Sequence, residues 1–162
     1  MIKKIVSWKD IEDGCLSIAK QIPEKDVDLI VAIARGGLVP ARILANYLNV
    51  PKIVTVGASI YDKNNQKTDN IDIYQNVGIS FKEKKLVSES NLLVVDDLAD
   101  SGDTFAYILL SLCETTVPRS VKSAALYVKP GTKYIPDFYY TKLKTKPWVV
   151  FPWEARPLKI KL

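Results

Sequence analysis

Residues 91–104, Asn-Leu-Leu-Val-Val-Asp-Asp-Leu-Ala-Asp-Ser-Gly-Asp-Thr, constrain this chain more than any other stretch. Leu92 to Val95 is a short apolar run of the kind that forms a buried strand. Asp96 and Asp97 then place adjacent carboxylates at its C-terminal end, and Asp100-Ser101-Gly102-Asp103-Thr104 follows as a turn of small residues that opens a helix. Ligands of open α/β sheets bind outside the carboxyl ends of the strands, so the chemistry is expected here. A helix N-terminus offers free N–H groups to a phosphate, and Ser101 and Thr104 add hydroxyls. The acidic pair suits the hydroxyls of a ribose, or a magnesium ion, which prefers hard oxygen ligands. Capping the next helix would need one acid, not three.

The chain contains no histidine, which removes serine–histidine hydrolases, zinc metalloproteases and His-containing zinc fingers. Proton transfer therefore falls to carboxylates, Lys, Tyr or the substrate. The 162 residues fit one domain spanning 1–162, with length enough for a real core. No apolar stretch approaches a membrane span, and Met1-Ile2-Lys3-Lys4-Ile5-Val6-Ser7-Trp8 lacks a signal peptide's apolar region, so a cytoplasmic location is expected. Cys15 and Cys113 fall on apolar helix faces and are expected to be buried thiols. The net charge of +5 comes mainly from scattered lysines, without a basic helix or aromatic–basic array, so no nucleic acid is expected as partner.

Ser7 begins a capping-box-like turn, after which Ile11, Cys15, Ile18, Ala19 and Ile22 recur at helical spacing up to Pro23. Asp28 to Ala34 reads as a strand, residues 38–48 as a helix with Pro40 in its first turn, and Lys52 to Val56 as a strand. Residues 59–90 turn polar and read as a long functional loop. A helix over 102–114, a strand over 121–128 and short strands at 138–143 and 148–150 complete the pattern. Strands alternating with helices predict an α/β fold, a central mainly parallel sheet flanked by helices.

Ala34-Arg35-Gly36-Gly37 closes the first core strand and opens a helix, repeating the geometry argued for 100–104. Its glycines let the backbone approach a ligand, and Arg35 adds a cation for a second anionic group such as pyrophosphate. The chain has neither a Walker Gly-Lys-(Ser/Thr) sequence nor a Gly-x-Gly-x-x-Gly fingerprint, which removes the main support for ATPase and dinucleotide readings.

The segment 91–104 resembles the PRPP-binding signature of the type I phosphoribosyltransferases. Ala32 to Pro40, Tyr61 to Lys67, Tyr127 to Gly131 and Lys146 to Glu154 are similar to the bacterial xanthine-guanine branch of that family. The resemblance implies the type I fold with a flexible lid loop at about 59–90, a small C-terminal hood within a base-binding segment at about 129–162, and assembly as a homodimer or homotetramer. It also implies a non-proline cis peptide near Ala34, Arg35 or Gly36. The implied reaction joins a 6-oxopurine (guanine, hypoxanthine or xanthine) to PRPP, giving the nucleoside 5′-monophosphate and pyrophosphate in purine salvage, with Mg²⁺ required.

By the same resemblance, Arg35, Gly36 and Lys67 serve the pyrophosphate. Asp96 and Asp97 hold the ribose hydroxyls, with Asp97 the metal contact. Ser101, Gly102, Asp103 and Thr104 bind the 5′-phosphate, and Asp100 is the catalytic group near purine N7. Lys129 would donate to the 6-oxo group, Trp148 would stack on the base and the Val149 backbone would read its edge. Trp153 and Pro152 read as packing. Val150 and Ile60 depart from the family pattern and weigh against xanthine. Alternatives are a phosphoribosyltransferase for another base, or a PRPP-sensing regulator of this fold that binds nucleic acid.

Overall fold

The computed structural model describes residues 2–61, 67–75 and 81–154; within 58–83 it describes backbone only. In chain order the elements are β1 (Lys3–Ile5), α1 (Trp8–Ala19), β2 (Leu29–Ala34), α2 (Leu38–Tyr47), β3 (Ile53–Tyr61), β4 (Lys67–Gln75), α3 (Phe81–Ser88), β5 (Asn91–Ala99), α4 (Asp103–Thr116), β6 (Ser120–Val128), β7 (Phe138–Lys142) and β8 (Trp148–Val150). The main sheet has the order β4-β3-β2-β5-β6-β7. All its pairings are parallel except that of β4, which lies antiparallel on the edge.

Side-chain alternation in the central strands divides the interior into two cores. Ile30, Ala32, Leu93 and Val95 face one core with Ile11, Cys15 and Ile18 of α1 and Leu44 of α2. Leu29, Val31, Leu92 and Val94 face the other with Phe105, Ile108 and Leu112 of α4 and Val87 of α3. A strand covered on both faces must be apolar at every position, which is why β2 and the start of β5 read as unbroken apolar runs. Each such Leu or Ile, withdrawn from water, contributes about 1.5–3 kcal/mol. The helix ahead of β2 begins at a true capping box, with Ser7 Oγ accepting from the Asp10 N–H and the Asp10 carboxylate accepting from the Ser7 N–H.

Several expectations need correction. Residues 59–90 are not one long loop: β3 continues to Tyr61, β4 pairs back on it, and α3 follows. In β4 the apolar residues alternate as Ile71 and Ile73 between polar neighbours, an edge-strand pattern hidden by the segment's polarity. The 62–66 and 76–80 parts of the expected lid, and the hood beyond Glu154, lie outside the described residues. Asp96 and Asp97 do not end their strand, because pairing of Leu98 with Tyr127 and Ala99 with Val128 carries β5 past them. Cys15 is buried but Cys113 is exposed. The inward stripe of α4 is Phe105, Ile108, Leu112 and Thr116, which turns residue 113 outward. Finally, β1 pairs in parallel with β8 in a separate two-stranded sheet, an element too short to show in the sequence.

Candidate active site

The ends of β2 and β5 bring the two sequence-predicted loops together. The Ala34–Arg35 peptide is cis, where the resemblance placed one. The following glycines are demanded by β5 itself. A Cβ on Gly37 would stand 2.2 Å from the Val95 carbonyl oxygen, and one on Gly36 would stand 2.3 Å from Asp97 Oδ2. The Asp97 carboxylate therefore lies directly against the Arg35-Gly36-Gly37 turn, so the acidic pair and the second glycine loop form one surface.

Within the acidic pair, the Asp97 N–H donates to Asp96 Oδ1 at 2.9 Å. Withdrawal from solvent, reinforced by the neighbouring Asp97 charge, holds the Asp96 carboxyl well above the usual carboxylate range. Burial also raises Asp97, to about 6, with the Glu154 carboxylate adding to the rise and Trp153 opposing it. Two adjacent hard-oxygen donors that resist ionising together are suited to a divalent cation. Among the described residues no group of three or more His, Cys, Asp or Glu could hold a metal. A magnesium ion held by one or two carboxylates, its shell completed by substrate phosphates and water, would not need such a group.

Beyond β5, Gly102 adopts φ +85° and precedes α4 with no side chain of its own to cap the helix, and Ser101 Oγ accepts from the Asp103 N–H at 3.4 Å. The cup of Ser101, Gly102, Asp103 and Thr104 is backed by residues 129–134. Lys129 N–H donates to the Ala99 carbonyl at 2.9 Å and Lys133 N–H to the Ser101 carbonyl at 2.8 Å. A Cβ on Gly102 would meet Tyr134 N at 2.5 Å, so only glycine admits this backing. Two ion pairs cross the same seam: Lys129 Nζ to Asp100 Oδ2 at 2.8 Å, and Lys133 Nζ to Asp103 Oδ1 at 3.0 Å. The Lys129 side chain is only 9% exposed, whereas that of Asp100 is 48% exposed. Asp100 thus remains open to a ligand while fixing a buried ammonium.

Of the residues expected to meet the base, Trp148 is half exposed and Val149 buried. Trp148 N–H donates to the Ile2 carbonyl and Val6 N–H to the Val150 carbonyl, so these positions of β8 spend their peptide groups on the β1 side. Peptide groups alternate sides along a strand, which turns the N–H and C=O of Val149 away from β1. Trp153 stacks on Phe151 at 4.8 Å between centroids and meets Trp8 at 5.9 Å, the packing expected of it, and it also hydrogen-bonds the Asp97 carboxylate. Lys67 begins β4, and its side chain lies outside the described part of the structure.

Residues 1–159 match the phosphoribosyl transferase domain family. This chain belongs to the phosphoribosyltransferase family. The xanthine-guanine phosphoribosyltransferase of Idiomarina loihiensis is 30% identical over 92% of this chain and 85% of that protein. Among solved structures, the purine phosphoribosyltransferase of Pyrococcus horikoshii aligns with a TM-score of 0.78 at 25% identity, covering 99% of this chain and 100% of the other. A hypothetical protein from Neisseria gonorrhoeae with bound ppGpp aligns with a TM-score of 0.79 at 28% identity, over 96% of this chain and 91% of the other. For this phosphoribosyltransferase, sequence reasoning missed Lys133 at the cup and the Trp153 and Glu154 influence on Asp97. No local signal could have found them, since each acts across a long chain separation.

Proposed function

We propose that this chain transfers the phosphoribosyl group of PRPP to a 6-oxopurine, guanine or hypoxanthine before xanthine, in purine salvage. The observation that carries this is the Asp100–Lys129 pair, 2.8 Å apart on the seam between the cup and the strap that leads to the base segment. An ammonium donor there favours a keto oxygen over the amino group of adenine. The xanthine-guanine and purine phosphoribosyltransferases among its relatives support the same substrate class. So does the guanine nucleotide in the Neisseria structure, which joins a purine to phosphoryl groups.

In this reading the amides of residues 102–104, with the Ser101 and Thr104 hydroxyls, bind the 5′-phosphate. Asp96 and Asp97 hold the ribose hydroxyls, and Asp97 would hold the magnesium ion. When bound, that ion would neutralise charge developing on the leaving pyrophosphate. Arg35, Gly36 and Lys67 would serve the same pyrophosphate with cationic side chains and a backbone amide. Trp148 would stack on the purine, contributing about 1–3 kcal/mol by analogy with base–aromatic stacking. Val149 would read the base edge through its backbone. Asp100 would accept or guide the proton at N7, the role that histidine cannot fill here.

The loop around residues 61–80 would fold over the site and exclude water, and about 129–162 would complete the base pocket, all within one domain. Among the described residues no helix is long and apolar enough to cross a membrane. A cytoplasmic homodimer or homotetramer that uses no nucleic acid is our reading of the rest. The deciding experiment offers guanine, hypoxanthine, xanthine and adenine with PRPP and magnesium and follows nucleotide formation. Product with guanine or hypoxanthine is expected; no product with any base would sink the enzyme reading.

A further inference from the structure

Asp103 poses a problem of charge. As the first residue of α4, it donates its backbone N–H to Ser101 Oγ at 3.4 Å within the cup, while its carboxylate sits at the same helix end as any phosphoryl group bound there. Like charges a few ångström apart at a protein surface repel appreciably, so the acid should weaken the site it helps to build.

Lys133 answers this from across the seam, with its Nζ 3.0 Å from Asp103 Oδ1. Its backbone is tied to the cup by the N–H donated to the Ser101 carbonyl. The next residue is fixed as firmly. The Tyr134 ring stacks on Phe105 of α4 at 5.7 Å, and its hydroxyl shares a 2.8 Å hydrogen bond with Ser123 Oγ. Ser123 is fully buried and donates to Asp137 Oδ2 at 2.7 Å. The main chain at residue 133 is thus anchored to the cup on one side and to β6 on the other. The Lys133 side chain, by contrast, is 77% exposed. Its flexible four-carbon stem can redirect the ammonium while the backbone stays in place.

We propose that Lys133 is a further 5′-phosphate ligand, clasping Asp103 before the substrate binds and turning to the phosphoryl oxygens when it does. The proposal rests on the reading of Asp100 to Thr104 as a cup for a phosphate monoester. Lys133 carries the charge that this loop lacks, since the described loop contributes two carboxylates, Asp100 and Asp103, and no cation. The exchange leaves Asp103 facing a phosphate whose charge the same ammonium now offsets.

The test is calorimetric titration of the full chain with ribose 5-phosphate, a probe that carries the phosphate but no base or pyrophosphate. Lys133→Ala should weaken binding about tenfold, the scale of a charge-assisted hydrogen bond. Lys133→Arg should keep most of the affinity, and the loss in Lys133→Ala should shrink in high salt. In an Asp103→Asn background, removing Lys133 should still cost affinity, because the phosphate is then the only anion left for its ammonium in that contact. No cost there, or Lys133→Ala within twofold of wild type, would overturn the proposal. An unchanged melting temperature for Lys133→Ala is expected alongside, whereas a collapse of stability would assign Lys133 a structural role instead. A wild-type chain that binds ribose 5-phosphate but forms no nucleotide overturns the enzyme reading alone. A Lys133→Ala variant with undiminished ribose 5-phosphate affinity overturns this one while nucleotide formation by the wild type persists.

Discussion

At the scale of single residues, the two glycines after β2 do different work although they are neighbours. Gly37 faces backbone: its missing Cβ would lie 2.2 Å from the Val95 carbonyl oxygen, which the central sheet cannot move. Gly37→Ala should therefore cost about 1–3 kcal/mol of stability, as overpacking does, read as a lower midpoint in denaturant. Gly36 faces the Asp97 carboxylate, a side-chain terminus that can swing aside. Gly36→Ala should leave the midpoint nearly unchanged yet weaken magnesium-dependent PRPP binding, measured by titration with and without the metal. Equal effects of the two substitutions on stability would show that Asp97 is held as rigidly as the backbone. Asp100 is the other residue with a separable role. Asp100→Asn should lower turnover by about 10²–10⁴-fold, the usual worth of a general acid–base group, with far less effect on PRPP affinity. Loss of PRPP binding alone would mean that Asp100 serves the phosphate and not N7.

Among the elements, legibility in the sequence followed burial. Strands β2 and β5 are enclosed on both faces, and their apolar runs announced them; α1 announced itself through Ser7, Asp10 and the spacing of Ile11, Cys15 and Ile18. Ser7→Ala should cost about 1 kcal/mol of stability by removing one half of that capping box, checked by thermal unfolding. By contrast, β4 is an edge strand whose polar residues outnumber its apolar ones, and β1 has only three residues, so neither carried enough pattern to be seen. The candidate site divided in the same way. Its contiguous parts, residues 35–37 and 96–104, could be read directly because a phosphate-binding turn is a local object. The contacts that hold those parts, from Gly36 to Asp97, Lys129 to Asp100 and Lys133 to Asp103, join distant segments and come into view only when the sheet brings them together.

For the whole molecule, two buried groups set an alkaline limit. Burial pushes the Cys15 thiol up to about 12 and the Tyr127 hydroxyl up to about 12, from ordinary values of 9.0 and 10.0. In both cases the folded protein holds the neutral form more tightly than the unfolded chain does. Their contribution to stability is therefore complete below about pH 9, and it is lost as pH rises through the folded values near 12. Circular dichroism should show the denaturation midpoint falling over that window, and a Cys15→Ala/Tyr127→Phe variant should show a shallower fall. A thiol reagent at neutral pH should label Cys113 quickly and Cys15 only on unfolding, since the former is exposed and the latter buried.

The pairing of β1 with β8 also bears on how the protein is made and handled. Trp148 lies in register with Lys3, so the proposed purine platform is assembled from two segments far apart in the sequence. Strands β2 to β7 and both loops lie between those two segments, so the main sheet can form before the proposed nucleobase shelf is paired. On the proposed reading, the same closeness makes an affinity tag fused just ahead of residue 1 a neighbour of the base.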